Sequence, residues 1–407
     1  MNHETGLVES VLESPDDDAP RLVYADWLEE RGDPRAEFIR VQCAAARLPA
    51  DDLRLPGLQA RAKQLLAHAR DWSAPLGLEP EACEFRRGFV EAVEVATDRF
   101  LERPDALFHS APIRQIHFLH ATRHLRELAD CPWLAKLATL DLSANALRDA
   151  GAAILAASPH LTRLAALDLG GCEIHQAGAE SLAGATDLHK LVELRMAGCG
   201  IGPSGLQAIL ASPALARVEA LDVRGNHQCW VNPNRGEPWV TLTETNIQND
   251  GVRLLAESNT SSRLAFVDLS LNSIEASGWE AILHSPHLAG MTCLNAFESD
   301  HVYADEGPSE PALGSERRTI NEEISDVLCV SIPGGSRRSI RRTTGDPRWT
   351  APPCTIDPGW VERLRRRFGH RITFRPPAVR FGAHFGGTRD DWFGGRAVLE
   401  RVDDLIR

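Results

Sequence analysis

A hydrophobic pattern that returns every 27 residues constrains this chain more than any other feature. Leu137, Leu140, Leu142, Asn145, Leu147 and Gly151 are answered 27 residues later by Leu164, Leu167, Leu169, Cys172, Ile174 and Gly178. The same beat brings Leu191, Leu194, Met196, Cys199, Ile201 and Gly205, then Val218, Leu221, Val223 and Asn226. Leu264, Val267, Leu269, Asn272, Ile274 and Gly278 form a further copy, with Met291 and Leu294 standing 27 residues beyond its opening pair. Self-similarity at this period means stacked units, none of which can bury its apolar face alone.

Within a unit, the LxL stretch reads as a short strand whose alternate side chains enter a shared core. The residue three positions after its second apolar residue (Asn145, Cys172, Cys199, Asn226 and Asn272) is placed to hydrogen-bond the backbone of an adjacent turn, forming a buried ladder. The glycine opens a helical segment on the convex side, as over 150–158 and 204–212. Ser158-Pro159, Ser212-Pro213 and Ser285-Pro286 end such segments. Over residues 133–297 this pattern resembles the ribonuclease-inhibitor-like class of leucine-rich repeats. The resemblance implies an α/β fold, a right-handed α/β horseshoe solenoid, preceded here by a small helical domain.

Residues 5–48 read as three short helices, broken by Pro15 and by Gly32, with Asp33 capping the third and Pro34 at its first position. The wording "SPDDDAPRLVYADWLEERGDPRAEFIRVQ" is similar to the bacterial repeat-companion domain, at Asp18, Tyr24, Asp26, Trp27, Glu29 and Gly32 to Arg35. That resemblance implies a position ahead of repeats and no catalytic role. Residues 49–132 continue with a helix, strands over 85–95, a helix over 100–108, and a degenerate capping repeat at Ile113, Ile116 and Phe118.

The beat slips once. Leu221 and Val267 are 46 residues apart, so either one repeat carries a 19-residue loop or a full repeat follows a truncated one. Val240, Leu242, Ile247 and Gly251 keep the expected spacing, which favours the second reading. In both, 227–238 leaves the regular surface and offers Trp230 and Trp239 for binding. Residues 298–358 are rich in Gly, Ser, Pro and Arg and read as a disordered insertion. Residues 359–375 read as a helix–strand cap, and 376–407 carry no assignable pattern.

Net charge is −13, unevenly spread: residues 1–300 hold 26 Lys+Arg against 42 Asp+Glu, and 301–407 hold 18 against 15. An acidic body argues against nucleic acid as the partner, because phosphate contacts need a positive surface. No apolar run approaches the ~20 residues of a membrane span. The opening MNHETGLVES has no secretory character, and nine cysteines without CxxC pairs fit a reduced, cytoplasmic setting.

Several motifs invite chemistry and have plainer readings. Gly200, Gly202 and Gly205 spell GxGxxG, yet Gly205 is the repeat glycine and no dinucleotide-binding βαβ unit surrounds it. His117, His120 and His124 are spaced like ligands but lack an acidic or cysteine neighbour, so no metal is expected. Asp16-Asp17-Asp18 lacks the alternation of a calcium loop. Ser339 and Thr343 follow paired arginines as phosphorylation sites do, in what otherwise reads as a solvated linker. No nucleophile–base arrangement, phosphate loop or cofactor motif stands out, and Cys329, Cys354, His370 and His384 have no recognisable setting.

What remains is a row of strand residues projecting away from the core: Asp141, Asp168, Arg195, Asp222 and Asp268, flanked by Ser143, Arg224 and Ser270. Four aspartates roughly one strand apart (~4.7 Å where repeats adjoin) suggest a negative stripe on the concave face. The expected function is therefore a non-enzymatic scaffold that binds a basic or polar protein partner through that face and the Trp230/Trp239 loop. Regulation of a GTPase, by analogy with other proteins of the repeat class, and an effector enzyme with chemistry after residue 298 are the alternatives.

Overall fold

In the computed structural model, the described residues are 3–49, 52–225, 228–230, 240–242, 247–296 and 356–373. The chain opens with three helices, α1 (His3–Glu13), α2 (Asp18–Glu29) and α3 (Arg35–Ala46). Asp17 accepts the backbone N–H of Ala19 to start α2, and Asp33 accepts that of Arg35 to start α3. Next come α4 (Leu55–Leu65), α5 (Ala69–Ser73) and an antiparallel hairpin of β1 (Cys83–Arg86) and β2 (Phe89–Ala96). Helices α6 (Thr97–Glu102) and α7 (Pro104–Ser110) follow where one was expected, because Pro104 interrupts the run.

From there strand and helix alternate: β3 (Gln115–Leu119), α8 (Leu125–Ala129), β4 (Thr139–Asp141), α9 (Arg148–Ala156), β5 (Ala166–Asp168), α10 (Gln176–Ala183), β6 (Glu193–Arg195), α11 (Gly202–Ala211) and β7 (Ala220–Asp222). A separate pair, β8 (Gln228–Trp230) and β9 (Val240–Leu242), precedes α12 (Gln248–Glu257), β10 (Phe266–Asp268), α13 (Ala276–His284) and β11 (Cys293–Asn295). Helix α14 (Pro358–Phe368) and strand β12 (Ile372–Thr373) complete the order.

One ten-stranded sheet joins these units in the order β1-β2-β3-β4-β5-β6-β7-β10-β11-β12. It is parallel from β2 onward, so it begins before the expected cap at residues 113–118 and takes in the hairpin. β7 pairs directly with β10, while β9 pairs antiparallel with β8 outside the sheet. The reading of a full repeat at Val240 and Leu242 is thus corrected: one repeat carries a long insertion, and Ile247 resumes it at its helix. A three-residue apolar alternation does not specify its partner; register does.

The helices pack side by side on one face of the sheet. Leu140, Leu167, Leu194, Leu221, Val267 and Leu294 from the strands join Leu155, Leu182, Ile209, Leu255 and Ile282 from the helices in one continuous core. Polar ladders stitch the repeats together at three levels. Asn145 donates to the carbonyls of Phe118 and Leu142 (2.8 and 2.9 Å) and accepts the N–H of Ala121. Cys172 and Cys199 donate to Leu142 and Leu169 carbonyls at 3.0 Å, and Asn272 to those of Val223 and Leu269. Asn226 lies outside the described residues.

The other two ladders are legible only in three dimensions. Ser158, Ser212 and Ser285 donate to Ala129, Ala183 and Ala256 carbonyls of the preceding repeat. Asp149 and Asn249 each accept two N–H groups at the start of the next repeat's helix, at residues 175 and 178 and at 275 and 278.

The repeat glycine serves close helix packing. A Cβ on Gly178 would stand 2.6 Å from Ile174 Cγ2 and 2.7 Å from Asp149 Oδ1. Gly178→Ala is therefore expected to cost about 1–3 kcal/mol through overpacking and a disturbed cap, read as a lower denaturation midpoint at unchanged m-value.

The N-terminal helices do not stand apart from the sheet. Their core of Val11, Tyr24, Leu28, Ile39 and Cys43 is completed by Phe89 of β2. Arg21 is fully buried and donates to Glu91 of β2 at 2.7 Å and to the Pro15 carbonyl. The residues of the N-terminal signature have structural partners here. Arg35 donates to the Gly88 carbonyl and stacks over Phe89, Tyr24 donates to Glu4, and Asp26 and Glu29 both pair with Arg40.

Candidate functional site

Parallel register places eight residues in one row on the sheet face opposite the helices: Glu94, His117, Asp141, Asp168, Arg195, Asp222, Asp268 and Asn295. Each sits one strand from the next, and the inward neighbours Leu140, Leu142, Val267 and Leu269 belong to the core. Alternation along each strand then fixes the row on the other face. All the predicted row residues are here, and Asp222 and Asp268 are neighbours despite 46 intervening positions.

The row is not the exposed negative stripe expected from sequence. Exposure is 4% at Asp141 and Asp168, 7% at Arg195, 8% at Arg224, and 1% at Asp222 and Asp268. It is also mixed in sign. Arg195 pairs with Asp168 at 3.4 Å and with Glu193, and Arg224 reaches Asp222 at 3.3 Å and Asp268 at 3.7 Å. Asn295 donates to Asp268 at 3.1 Å.

The recurrence of aspartate has a local cause. In each repeat its Oδ1 accepts the backbone N–H two residues on, from Ser143, Gly170, Arg224 and Ser270 at 2.9–3.2 Å. These turns close the strand ends and leave Oδ2 of Asp168, Asp222 and Asp268 for ionic contacts. The repeated aspartates are built into the sheet first; any surface role is added to that.

Sequence reasoning missed the two residues that extend the row toward the N-terminus. His117 Nδ1 lies 3.3 Å from Glu94 and its Nε2 4.0 Å from Asp141. Burial pulls the imidazole pKa down, but Asp141 and the hydrogen-bonded Glu94 outweigh it and raise it to about 9. Burial likewise pushes the Asp222 carboxyl up, with Arg224 opposing and Asp268 reinforcing.

Both shifts have the same sign of linkage. A folded pKa above the unfolded one gives stability that is complete below the unfolded value and is lost as pH rises through the folded value. For His117 that window runs from pH 6.5 to about 9. Unfolding free energy is expected to fall across it by up to about 3 kcal/mol, and denaturant titrations of His117→Gln should lack that fall.

The other candidate residues take different places. Trp230 lies in β8, off the main sheet, and Trp239 is outside the described residues. His120 and His124 do not join His117: His124 faces Glu127 at 3.5 Å. Among the described residues no group of three or more His, Cys, Asp or Glu is arranged to hold a metal ion. In the GxGxxG stretch, a Cβ on Gly205 would meet Ala179 at 3.1 Å, so this glycine serves helix packing. Residues 298–355, with Cys329, Ser339, Thr343 and Cys354, and the tail with His384, lie outside the described residues.

Residues 157–183 and 187–210 match the leucine-rich repeat model. The chain contains leucine-rich repeats. No curated protein matches the sequence. One solved structure it is similar to is the complex of Rad7 and Elc1 in yeast, at 13% identity and a TM-score of 0.27, over 56% of this chain and 69% of that one. That likeness is too distant to bear on function. Among the described residues no helix is long and apolar enough to cross a membrane.

Proposed function

We propose that the chain is a non-enzymatic, cytoplasmic scaffold for protein–protein recognition. In this reading it is a ribonuclease-inhibitor-like solenoid with a helical repeat-companion unit at its N-terminus, and the sheet face bearing the charged row meets the partner. The observation that supports it is the row itself: eight residues on successive strands, on the sheet face opposite the described helices. Leucine-rich repeats serve as extended binding surfaces because stacked units build a wide, rigid platform at little local cost. Carboxylates outnumber the cations along it, so the partner presents basic groups, which favours orientation and rate more than raw affinity.

The test compares capture from a cell lysate by three folded forms of the chain. These are the intact protein, a form with Asp141, Asp168, Asp222 and Asp268 all changed to Asn, and a helix-face control, Glu180→Ala with Arg253→Ala. Asparagine keeps an acceptor for each strand-end turn; because Arg195 and Arg224 pair with three of these carboxylates, circular dichroism first checks that the form folds. The reading predicts that a partner held by the intact chain and the control is lost from the Asn form. Equal retention by all three would remove the row from recognition.

A further inference from the structure

A second periodic feature lies ahead of the strands, at the opposite end from the aspartate turns. The turns Leu134–Leu137, Leu161–Leu164, Leu188–Leu191 and Leu215–Val218 each close with the last N–H donating to the first carbonyl at 3.0 Å. Their apolar ends are buried, and the third residue of each, Lys136, Arg163, Lys190 and Arg217, is exposed. Two residues further on, Ala138, Ala165, Val192 and Glu219 are joined from repeat to repeat by backbone hydrogen bonds of 2.8–2.9 Å, so the turns stand in register. One strand spacing then sets the four cations about 5 Å apart at the backbone, as a rail along one rim of the sheet.

Burial and turn geometry require only a residue that faces water here, not a cation. Ala135, Thr162, His189 and Ala216 precede the four, and no carboxylate lies within the turns. Among the described residues, none of the four side chains makes an ion pair or a hydrogen bond, and Lys136 lies over the Trp133 ring at 4.8 Å. Arg263 gives the contrast. It holds the same turn position in the next repeat, yet it is half-buried and donates to the Leu210 and Val218 carbonyls. Like charges as close as those of the rail repel one another, and a bound anion relieves that repulsion.

The anion is extended because the rail is, and its charges are separated by neutral groups. Half-buried Asp187 and Glu219 flank the turns and oppose a continuous phosphate chain. Trp133 is the single aromatic in 132–138, 159–165, 186–192 and 213–219, whereas stacked bases need a series of aromatic platforms. An extended polypeptide sets alternate side chains about 6.7 Å apart, a spacing that long Lys and Arg side chains reach from this row.

We propose that Lys136, Arg163, Lys190 and Arg217 form a docking rail for an extended acidic segment of a partner protein, with carboxylates on alternate residues. Surface and partner charge both differ from those of the proposed function, so the two fail separately. The probe is a labelled peptide of alternating glutamate and serine with four glutamates, titrated by fluorescence anisotropy at 50 mM salt into forms of the full chain. These are the intact protein, the rim form K136Q/R163Q/K190Q/R217Q, and the off-rim form R54Q/R61Q/R70Q/R253Q, whose arginines pair with carboxylates elsewhere. Circular dichroism checks folding, and the two-site forms K136Q/R163Q and K190Q/R217Q take over if the rim form does not fold.

A net charge of −13 opposes an acidic ligand, and the off-rim form carries the same total charge as the rim form, so only a local effect separates them. The intact and off-rim forms are expected to bind the peptide alike. The rim form should bind at least tenfold more weakly, the two-site forms should fall between, and a glutamine version of the peptide should not bind. Raising salt to 300 mM should weaken the binding. Equal binding by the intact and rim forms, equal weakening of the rim and off-rim forms, or no binding by the intact chain overturns the proposal. So does tighter binding of a single-stranded oligodeoxynucleotide, or of phosphatidylserine vesicles, than of the peptide.

Discussion

Glu91→Ala is expected to destabilise the protein by about 3–5 kcal/mol, and to do so at the joint between the N-terminal helices and the sheet. The carboxylate lies on β2 and accepts from Arg21 at 2.7 Å and from Arg87 at 3.0 Å. Arg21 has no exposure at all and also donates from its two terminal nitrogens to the Pro15, Arg86 and Arg87 carbonyls. Its guanidinium pKa is lowered by burial, with Glu91 supporting the charge, so loss of Glu91 strands a buried cation. Because α1–α3 share Phe89 with the hairpin, their loosening exposes part of the second core. Chemical denaturation should show the loss. Arg21→Met with Glu91→Leu should restore much of it, since an apolar pair of similar volume removes both desolvation penalties. A double variant no better than Glu91→Ala would mean that the site needs the arginine's backbone contacts more than its charge.

A loss of similar size is expected from Arg195→Ala, this time inside the row. Arg195 sits between Asp168 on β5 and Glu193 on its own strand, both almost fully buried. Burial alone would lower its pKa, but Glu193, Asp168 and Asp222 raise it, so the cation is held firmly. Removing it leaves two carboxylates facing each other in a place that excludes water, at a cost of about 3–5 kcal/mol. Arg195→Lys keeps the charge without the planar fork and should lie between wild type and Ala. Thermal melts on the three proteins decide this; a neutral Arg195→Ala would contradict a buried ionic row.

The two positions show what sequence reading can and cannot reach. Leu140, Leu167, Leu194 and Val267 were legible because their spacing is a property of one strand repeated, and inward residues must be apolar wherever the units stack. The same logic made Asn145, Cys172 and Asn272 legible as ladder residues, since each bonds a turn one repeat away. The sign of the row was not legible. Asp141, Asp168, Asp222 and Asp268 look like free acids in a pattern, whereas the fold sets His117 beside the first, Arg195 and Arg224 beside the other three, and turn N–H groups two residues on from each. His117 lies within the expected capping strand, between Ile116 and Phe118, and Glu94 joins the row only because the sheet runs on into the hairpin, past the residues that seemed to cap it. Arg21 and Glu91 lie 70 positions apart, and neither periodicity nor composition links them. Val240 and Leu242 failed for the opposite reason: their local spacing was right, but they pair with β8 instead of the sheet.

Hydrogen exchange on the captured complex tests the central claim most directly. Amide protection is compared between the free chain and the chain with its partner, at the turns that follow the strands (142–146, 169–173, 196–200 and 269–273) and along α9 to α13. Recognition through the row predicts slower exchange in the turns with the helices unchanged. Protection confined to the helices, or to residues 3–49, with the turns unaffected, would contradict it.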